Sequence, residues 1–165
     1  YSFHDVVKEA GVQGFTEPDP KIDLSGVDVA RKILILIRES GYEMEMDDIQ
    51  NNSFLPAECM NTTNNDDFFK SLIKHASHFE NLLAEAKQKN SRLKFVASFE
   101  NGKASVGLQF IPADSPFYNL EGKDNIVQFY TDRYVDQPLL IKGAGAGAAV
   151  TASGIFADVV RIGNV

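Results

Sequence analysis

An asparagine-glycine dipeptide, Asn101-Gly102, sits between two runs of alternating apolar and mostly polar residues, and it constrains the fold of this chain more than any other feature. Before it, Leu93, Phe95, Ala97 and Phe99 alternate with their neighbours; after it, Ala104, Val106, Leu108 and Phe110 do the same. The tightest hairpin turns need positive φ at both central positions, which asparagine and glycine tolerate, so the segment predicts an antiparallel hairpin with one apolar face. Such a face must be covered. The preceding stretch, from Asn65 to about Lys89, places Phe69, Leu72, Ile73, Ala76, Phe79, Leu83 and Ala86 at helical spacing, with acids early and lysines late to suit the helix dipole. It reads as one amphipathic helix lying on a supporting surface.

Further elements follow from local signals. Ser2-Phe3-His4-Asp5 has capping-box spacing and opens a short helix that ends near Gly11. Thr16-Glu17-Pro18-Asp19-Pro20 reads as a stiff loop, because each proline removes a donor and holds its predecessor extended. Ser25, with Asp28 three residues on, repeats the capping signal before Val27 to Ile37, which is apolar nearly all round and is expected inside the protein. The asparagine-rich stretch 61–65 reads as a loop, strands are expected at 125–131 and 138–142, and a last helix runs from about Gly147 to Ile162. The fold class is α+β, a mainly antiparallel sheet covered by helices.

Charge and composition exclude several classes of function. Sixteen basic against 23 acidic residues give a net charge of -7, unsuited to a nucleic-acid backbone, and the longest aliphatic stretch, Ile33 to Ile37, is far too short to cross a bilayer. A single cysteine, Cys59, rules out an internal disulfide or a multi-cysteine zinc site and points to a reducing, cytoplasmic compartment. The start at Tyr1 has no initiator methionine and no secretory pattern, so the chain reads as a piece of a longer polypeptide. His75 and His78, three apart with no third ligand, and His4 are expected on solvated faces; no metal site is expected.

Two segments carry possible chemistry. Pro138-Leu139-Leu140-Ile141-Lys142 leads into Gly143-Ala144-Gly145-Ala146-Gly147 and a helix, a partial match to the strand, glycine turn and helix of a dinucleotide site. A second parallel strand with an acidic residue about 20 positions on is lacking. Close helix packing, or backbone approach to a ligand held mainly elsewhere, explains the small residues better than an independent nucleotide fold. In the other segment, four carboxylates and three cations fall between Glu17 and Lys32. Asp28 and Lys32 are four apart on the predicted helix and share a face, so in an otherwise apolar helix they are expected at a cleft or as a buried pair. An ordinary surface ion pair fits the spacing equally, and Glu17 and Asp23 taken singly read as plain loop acids.

The stretch Gly14-Phe15-Thr16-Glu17-Pro18-Asp19-Pro20, then Asp23, then Leu24-Ser25-Gly26-Val27-Asp28-Val29-Ala30-Arg31-Lys32 resembles the signature of homoserine dehydrogenases of the fungal and aspartokinase-fused type. The similarity runs on through Gly41-Tyr42-Glu43, Leu55-Pro56-Ala57-Glu58, Val150-Thr151-Ala152 and Gly154-Ile155-Phe156-Ala157-Asp158. Two departures stand out: Ile22 where the family commonly has an acid, and Phe15 where tyrosine is frequent.

The resemblance implies a substrate-binding and dimerisation domain over residues 1–142. A glycine-rich loop and helix over 143–165 would pack on a nucleotide-binding Rossmann domain that lies outside this sequence. It implies reversible hydride transfer between NADP or NAD, bound mainly by that other domain, and aspartate semialdehyde, giving homoserine for threonine and methionine biosynthesis. By the same resemblance Lys32 and Asp28 are catalytic, Glu17, Asp23 and Thr16 bind substrate, and Gly143 and Gly145 approach the cofactor. The residue types suit these roles, since carboxylates orient an ammonium group and a developing oxyanion needs a donor. The chain is expected to be inactive alone and to form a homodimer through its sheet. The alternative is a non-catalytic assembly module with a vestigial pocket, and a small-molecule regulatory domain is a weaker third reading.

Overall fold

The computed structural model describes residues 1–122, 124–145 and 147–164, and it divides into two compact units, Tyr1–Ala113 and Asp114–Val165. The first begins with α1 (Phe3–Val12), opened by the expected capping box: Ser2 accepts the Asp5 amide and Asp5 returns a bond to the Ser2 amide. The proline-rich stretch is more ordered than a loop. Pro20 occupies the first position of a five-residue helix, α2 (Pro20–Leu24), where its missing N–H costs nothing, and Asp19 caps it by accepting from the Lys21 amide at 3.0 Å.

Helix α3 (Val27–Glu39) follows, but it is not buried all round. Ala30, Leu34 and Ile37 form its buried stripe, while Ile35 on the opposite side is 60% exposed. A short turn at Met46–Asp48 leads to β1 (Ile49–Asn52), a strand whose single apolar residue gave no alternation to read. Helix α4 (Ala57–Met60) then precedes α5 (Asn65–Lys74) and α6 (Ala76–Gln88). The single helix expected over 65–89 is thus two, broken at His75 (φ -99°, ψ 19°). The break resets the helical phase: Phe68, Leu72, Phe79 and Ala86 are buried, whereas Ile73 and Leu83 are about half exposed.

The hairpin forms as expected. Strands β2 (Ser91–Glu100) and β3 (Lys103–Pro112) pair antiparallel from Ser91↔Pro112 to Glu100↔Lys103, around a turn with φ 52° at Asn101 and 75° at Gly102. β1 adds to β3 in parallel, Ile49↔Ala104 to Asn52↔Gly107, giving the order β1-β3-β2. The helix-facing side of this sheet receives α3, and Ala30, Leu34 and Ile37 meet Ile49, Ala104 and Val106 there. A second cluster joins α1, α4, α5 and α6 through Val7, Leu55, Cys59, Phe68, Leu72 and Phe79, with Phe3 stacked on Phe79 at 4.3 Å between centroids. Phe54 and Phe95 touch edge to face, linking the two clusters.

In the second unit, β4 (Asp124–Thr131) and β5 (Tyr134–Ala144) form an antiparallel hairpin with a register shift between Phe129 and Thr131. Helix α7 (Ala148–Gly163) exposes Ile155, Phe156, Val159 and Ile162. The α+β class stands, with a small mixed sheet and a separate two-stranded one in place of one mainly antiparallel sheet.

Candidate functional site

The acidic turn is built by side chains, because its prolines leave the backbone short of donors. After α1 the chain reverses through Gly14 at φ 74°, and the Phe15 amide returns to the Ala10 carbonyl at 2.9 Å. The Glu17 amide donates to Asp23 Oδ2 at 2.9 Å, closing the turn onto α2. The two acids are thereby brought together, with both side chains exposed and one Asp23 oxygen already engaged; Thr16 beside them is half-buried.

Three side-chain bonds fix this turn to the body of the unit. Asn65 Nδ2 donates to the Pro18 carbonyl at 2.7 Å, Lys21 Nζ donates to the Thr62 carbonyl at 2.5 Å, and Asn51 Nδ2 donates to the Ser25 carbonyl at 2.7 Å. At the α2-α3 junction the helix cap is Gly26, at φ 79°, and not Ser25. Ser25 still contributes, its Oγ accepting from the Val27 amide at 3.2 Å. Gly26 is required there: a Cβ would lie 2.6 Å from the Phe95 ring.

Asp28 and Lys32 pair on α3 at 2.8 Å between Oδ2 and Nζ, on the side away from the buried stripe. Their side chains are 60% and 58% exposed, so the pair is neither buried nor enclosed by a cleft of this unit. The hollows on the first unit include one of about 550 Å³ beside Glu43, Asp48 and Lys103, and one of about 340 Å³ over Phe54, His78, Leu108 and Phe110. Neither contains Glu17, Asp23, Asp28 or Lys32. The structure thus joins Glu17, in the turn before α2, to Asp23 on α2, and Asp28 to Lys32 on α3, and the two helices pack on one another.

Gly143 and Gly145 lie in the second unit, at and just past the end of β5, and both are exposed. A Cβ on Gly143 would meet nothing within 4 Å, so its backbone is open to close approach, whereas one on Gly145 would collide with the Asn125 side chain. β5 pairs antiparallel with β4, so the strand leading into the glycine turn sits in a two-stranded hairpin.

The histidines are half-buried, and each has a hydrogen-bond partner. His4 contacts the Ser2 hydroxyl at 2.6 Å and Asp5 at 3.1 Å, and His78 Nε2 bonds the Phe54 carbonyl at 2.8 Å. His75 meets Glu58 Oε2 at 2.9 Å, the same oxygen that Lys74 reaches at 2.7 Å. The Lys74 hydrogen bond foremost, then that of His75, holds the Glu58 carboxyl below its ordinary value. Among the described residues no three His, Cys, Asp or Glu side chains gather as a metal site. No helix of the described chain is long and apolar enough to cross a membrane.

Fold and turn together define an α+β module in which a proline-bracketed acidic turn feeds a helix carrying a carboxylate-lysine pair. The homoserine dehydrogenase family model matches residues 1–160, and the chain belongs to that family. It is 44% identical over 165 residues to bifunctional aspartokinase/homoserine dehydrogenase 1, chloroplastic, of Zea mays, covering 99% of this chain and 18% of the maize protein. It is 41% identical over 164 residues to homoserine dehydrogenase of Schizosaccharomyces pombe, covering 98% and 44%. A solved protein of unknown function from Candida auris superposes with a TM-score of 0.90 at 38% identity, over 99% of this chain and 46% of that one. A crystal structure of Staphylococcus aureus homoserine dehydrogenase shares the fold at TM-score 0.72 and 23% identity, over 99% and 37%. The chain thus spans less than half the length of these relatives.

Asn51, Lys21 and Asn65 carried no signal in the sequence. Each acts across 26 to 47 residues on a backbone carbonyl, and neither periodicity nor local spacing reports such a bond.

Proposed function

We propose that this chain supplies the substrate-binding part of a homoserine dehydrogenase that interconverts aspartate semialdehyde and homoserine. The observation that carries this reading is the turn in which the Glu17 amide closes on Asp23, set directly before the helix that bears the Asp28–Lys32 pair at 2.8 Å. The Glu17 carboxylate and the free Asp23 oxygen orient the substrate ammonium group by charge-assisted hydrogen bonds, with the Thr16 backbone alongside. Lys32 Nζ delivers a proton to the carbonyl oxygen as it gains negative charge, and takes it back in the reverse direction; Asp28 holds the ammonium in place and bonds the substrate oxygen or an adjacent water. NADP or NAD, when bound, supplies or accepts the hydride. Gly143 suits an approach to its nicotinamide because its backbone is open, Gly145 contributes backbone at the same strand end, and the rest of the dinucleotide is held outside this chain.

In this reading residues 1–142 bind substrate and dimerise, and 143–165 pack on the nucleotide-binding part. The compartment is the cytoplasm. The homodimer forms through the sheet face that carries the exposed Gln50, Asn52, Ser98 and Gln109.

The test uses the full-length protein that carries this chain, with homoserine titrated in a calorimeter and steady-state rates measured. Glu17→Ala weakens homoserine binding by roughly 10- to 100-fold, the loss of one charge-assisted bond. Lys32→Ala lowers kcat by about 10²- to 10⁴-fold with little change in binding. A second reading, an assembly module with a vestigial pocket, is favoured by the exposure of the Asp28–Lys32 pair outside both hollows. Wild-type binding and turnover in both variants would decide for it.

A further inference from the structure

Asn65 is the first residue of α5, a place where an asparagine ordinarily serves the helix end. That duty is already discharged by its neighbour: Asn64 is the N-cap, and its Oδ1 accepts the Asp67 amide at 2.9 Å. The Asn65 amide instead reaches 47 residues back to the Pro18 carbonyl at 2.7 Å. Pro18 directly follows Glu17, and the two-residue stretch is anchored at its two ends by side chains, Asp23 on the Glu17 amide and Asn65 on the Pro18 carbonyl. With Pro18 and Pro20 lacking donors, local backbone bonding has little to offer this stretch. Asp23 moves with the turn that it closes. Asn65 belongs to the α5 framework and ties the turn to something outside itself.

We propose that Asn65 is a positioning residue, setting through Pro18 where the Glu17 carboxylate stands to receive the ammonium group of the amino-acid substrate. This rests on the substrate role of Glu17 proposed above. Without the Asn65 bond the turn stays closed by Asp23 and tied at Lys21 and Ser25, but the Glu17-Pro18 stretch loses its own link to α5, and a carboxylate displaced by about an ångström loses much of its hold on a small cation.

The test is a kinetic cycle in the full-length protein that carries this chain, with substrate and nicotinamide KM, kcat and thermal midpoint measured for Asn65→Ala, Asn65→Asp, Glu17→Gln and the Asn65→Ala/Glu17→Gln double variant. Asn64→Ala serves as the structural control, since it removes the helix cap and the side-chain bond from Asn64 to Asp67 while leaving the Asn65–Pro18 bond in place. The expected result is an amino-acid substrate KM raised on the order of tenfold by either Asn65 variant, with the nicotinamide KM and the thermal midpoint close to wild type. Asn64→Ala does the reverse, lowering the midpoint and sparing KM. If Asn65 acts through Glu17, Asn65→Ala adds less than about twofold in the Glu17→Gln background.

An Asn65→Ala enzyme with unchanged substrate KM, while Glu17→Gln raises it, overturns the positioning role and leaves the Glu17 assignment standing. Fully additive effects in the double variant overturn it too, because Asn65 then works by another route. An unchanged KM in Glu17→Gln removes both assignments together.

Discussion

Gly26 and Gly14 both adopt positive φ, at 79° and 74°, yet they tolerate a side chain very differently. A Cβ at Gly14 meets open space, whereas one at Gly26 lies 2.6 Å and 2.8 Å from two carbons of the Phe95 ring. Gly14→Ala therefore reports backbone strain alone, about 1–2 kcal/mol. Gly26→Ala carries the same strain plus an overpacking term of roughly 1–3 kcal/mol, because Phe95 is wedged between Phe54 and the α3 side of the sheet. Urea denaturation of the two variants should show Gly26→Ala as the less stable, and equal losses would mean that Phe95 yields freely. Phe68, with no exposed surface, sets the upper end of single-residue effects: Phe68→Ala should cost about 3–5 kcal/mol in the same assay.

At the scale of elements, what could be read from sequence was whatever local chemistry determines. The Ser2 capping box and the Asn101-Gly102 hairpin are complete within a few residues, and both formed as expected. The split of the 65–88 helices was not legible, because no glycine or proline marks His75. It is stabilised by Glu58 on α4, whose Oε2 bonds both Lys74 and His75. For the same reason the acids of the turn were legible as a pattern but not as the closed Glu17–Asp23 loop, a bond between an amide and a carboxylate six residues on. The Glu58 staple has a pH signature. Its carboxyl is held below the ordinary 4.5, foremost by Lys74 and then by His75, so its contribution to folding is complete above that value and is lost as pH falls through the lower folded value. Thermal midpoints of wild type and Glu58→Gln should differ at pH 6 and converge as pH falls through the lowered value that Glu58 has in the folded protein. A constant gap across that range would show that the loss in the variant is one of shape and not of charge.

For the molecule as a whole, charge and exposed apolar surface act against each other. A net charge of -7 opposes association beyond the sheet-paired dimer at neutral pH, while α7 presents Ile155, Phe156, Val159 and Ile162, each 60–74% exposed, at spacings that place them along one side of the helix. Hydropathy alone could not reveal this in advance, because an amphipathic helix looks the same in sequence whether its apolar stripe is covered or open. As pH falls towards the isoelectric point near 4.9, repulsion between copies fades while the apolar area is unchanged. Light scattering on the 165-residue chain should therefore show an apparent mass at pH 7.5 no larger than that of the sheet-paired dimer of 18.2 kDa chains, rising beyond it as pH approaches 5.5. Replacing Phe156 and Val159 by serine leaves the charge untouched and removes much of the stripe, so that variant should stay at the lower mass across the range. Association as strong in the serine variant as in wild type would move the sticky surface away from α7, and the exposed sheet face of Gln50, Asn52, Ser98 and Gln109 would be the next to alter.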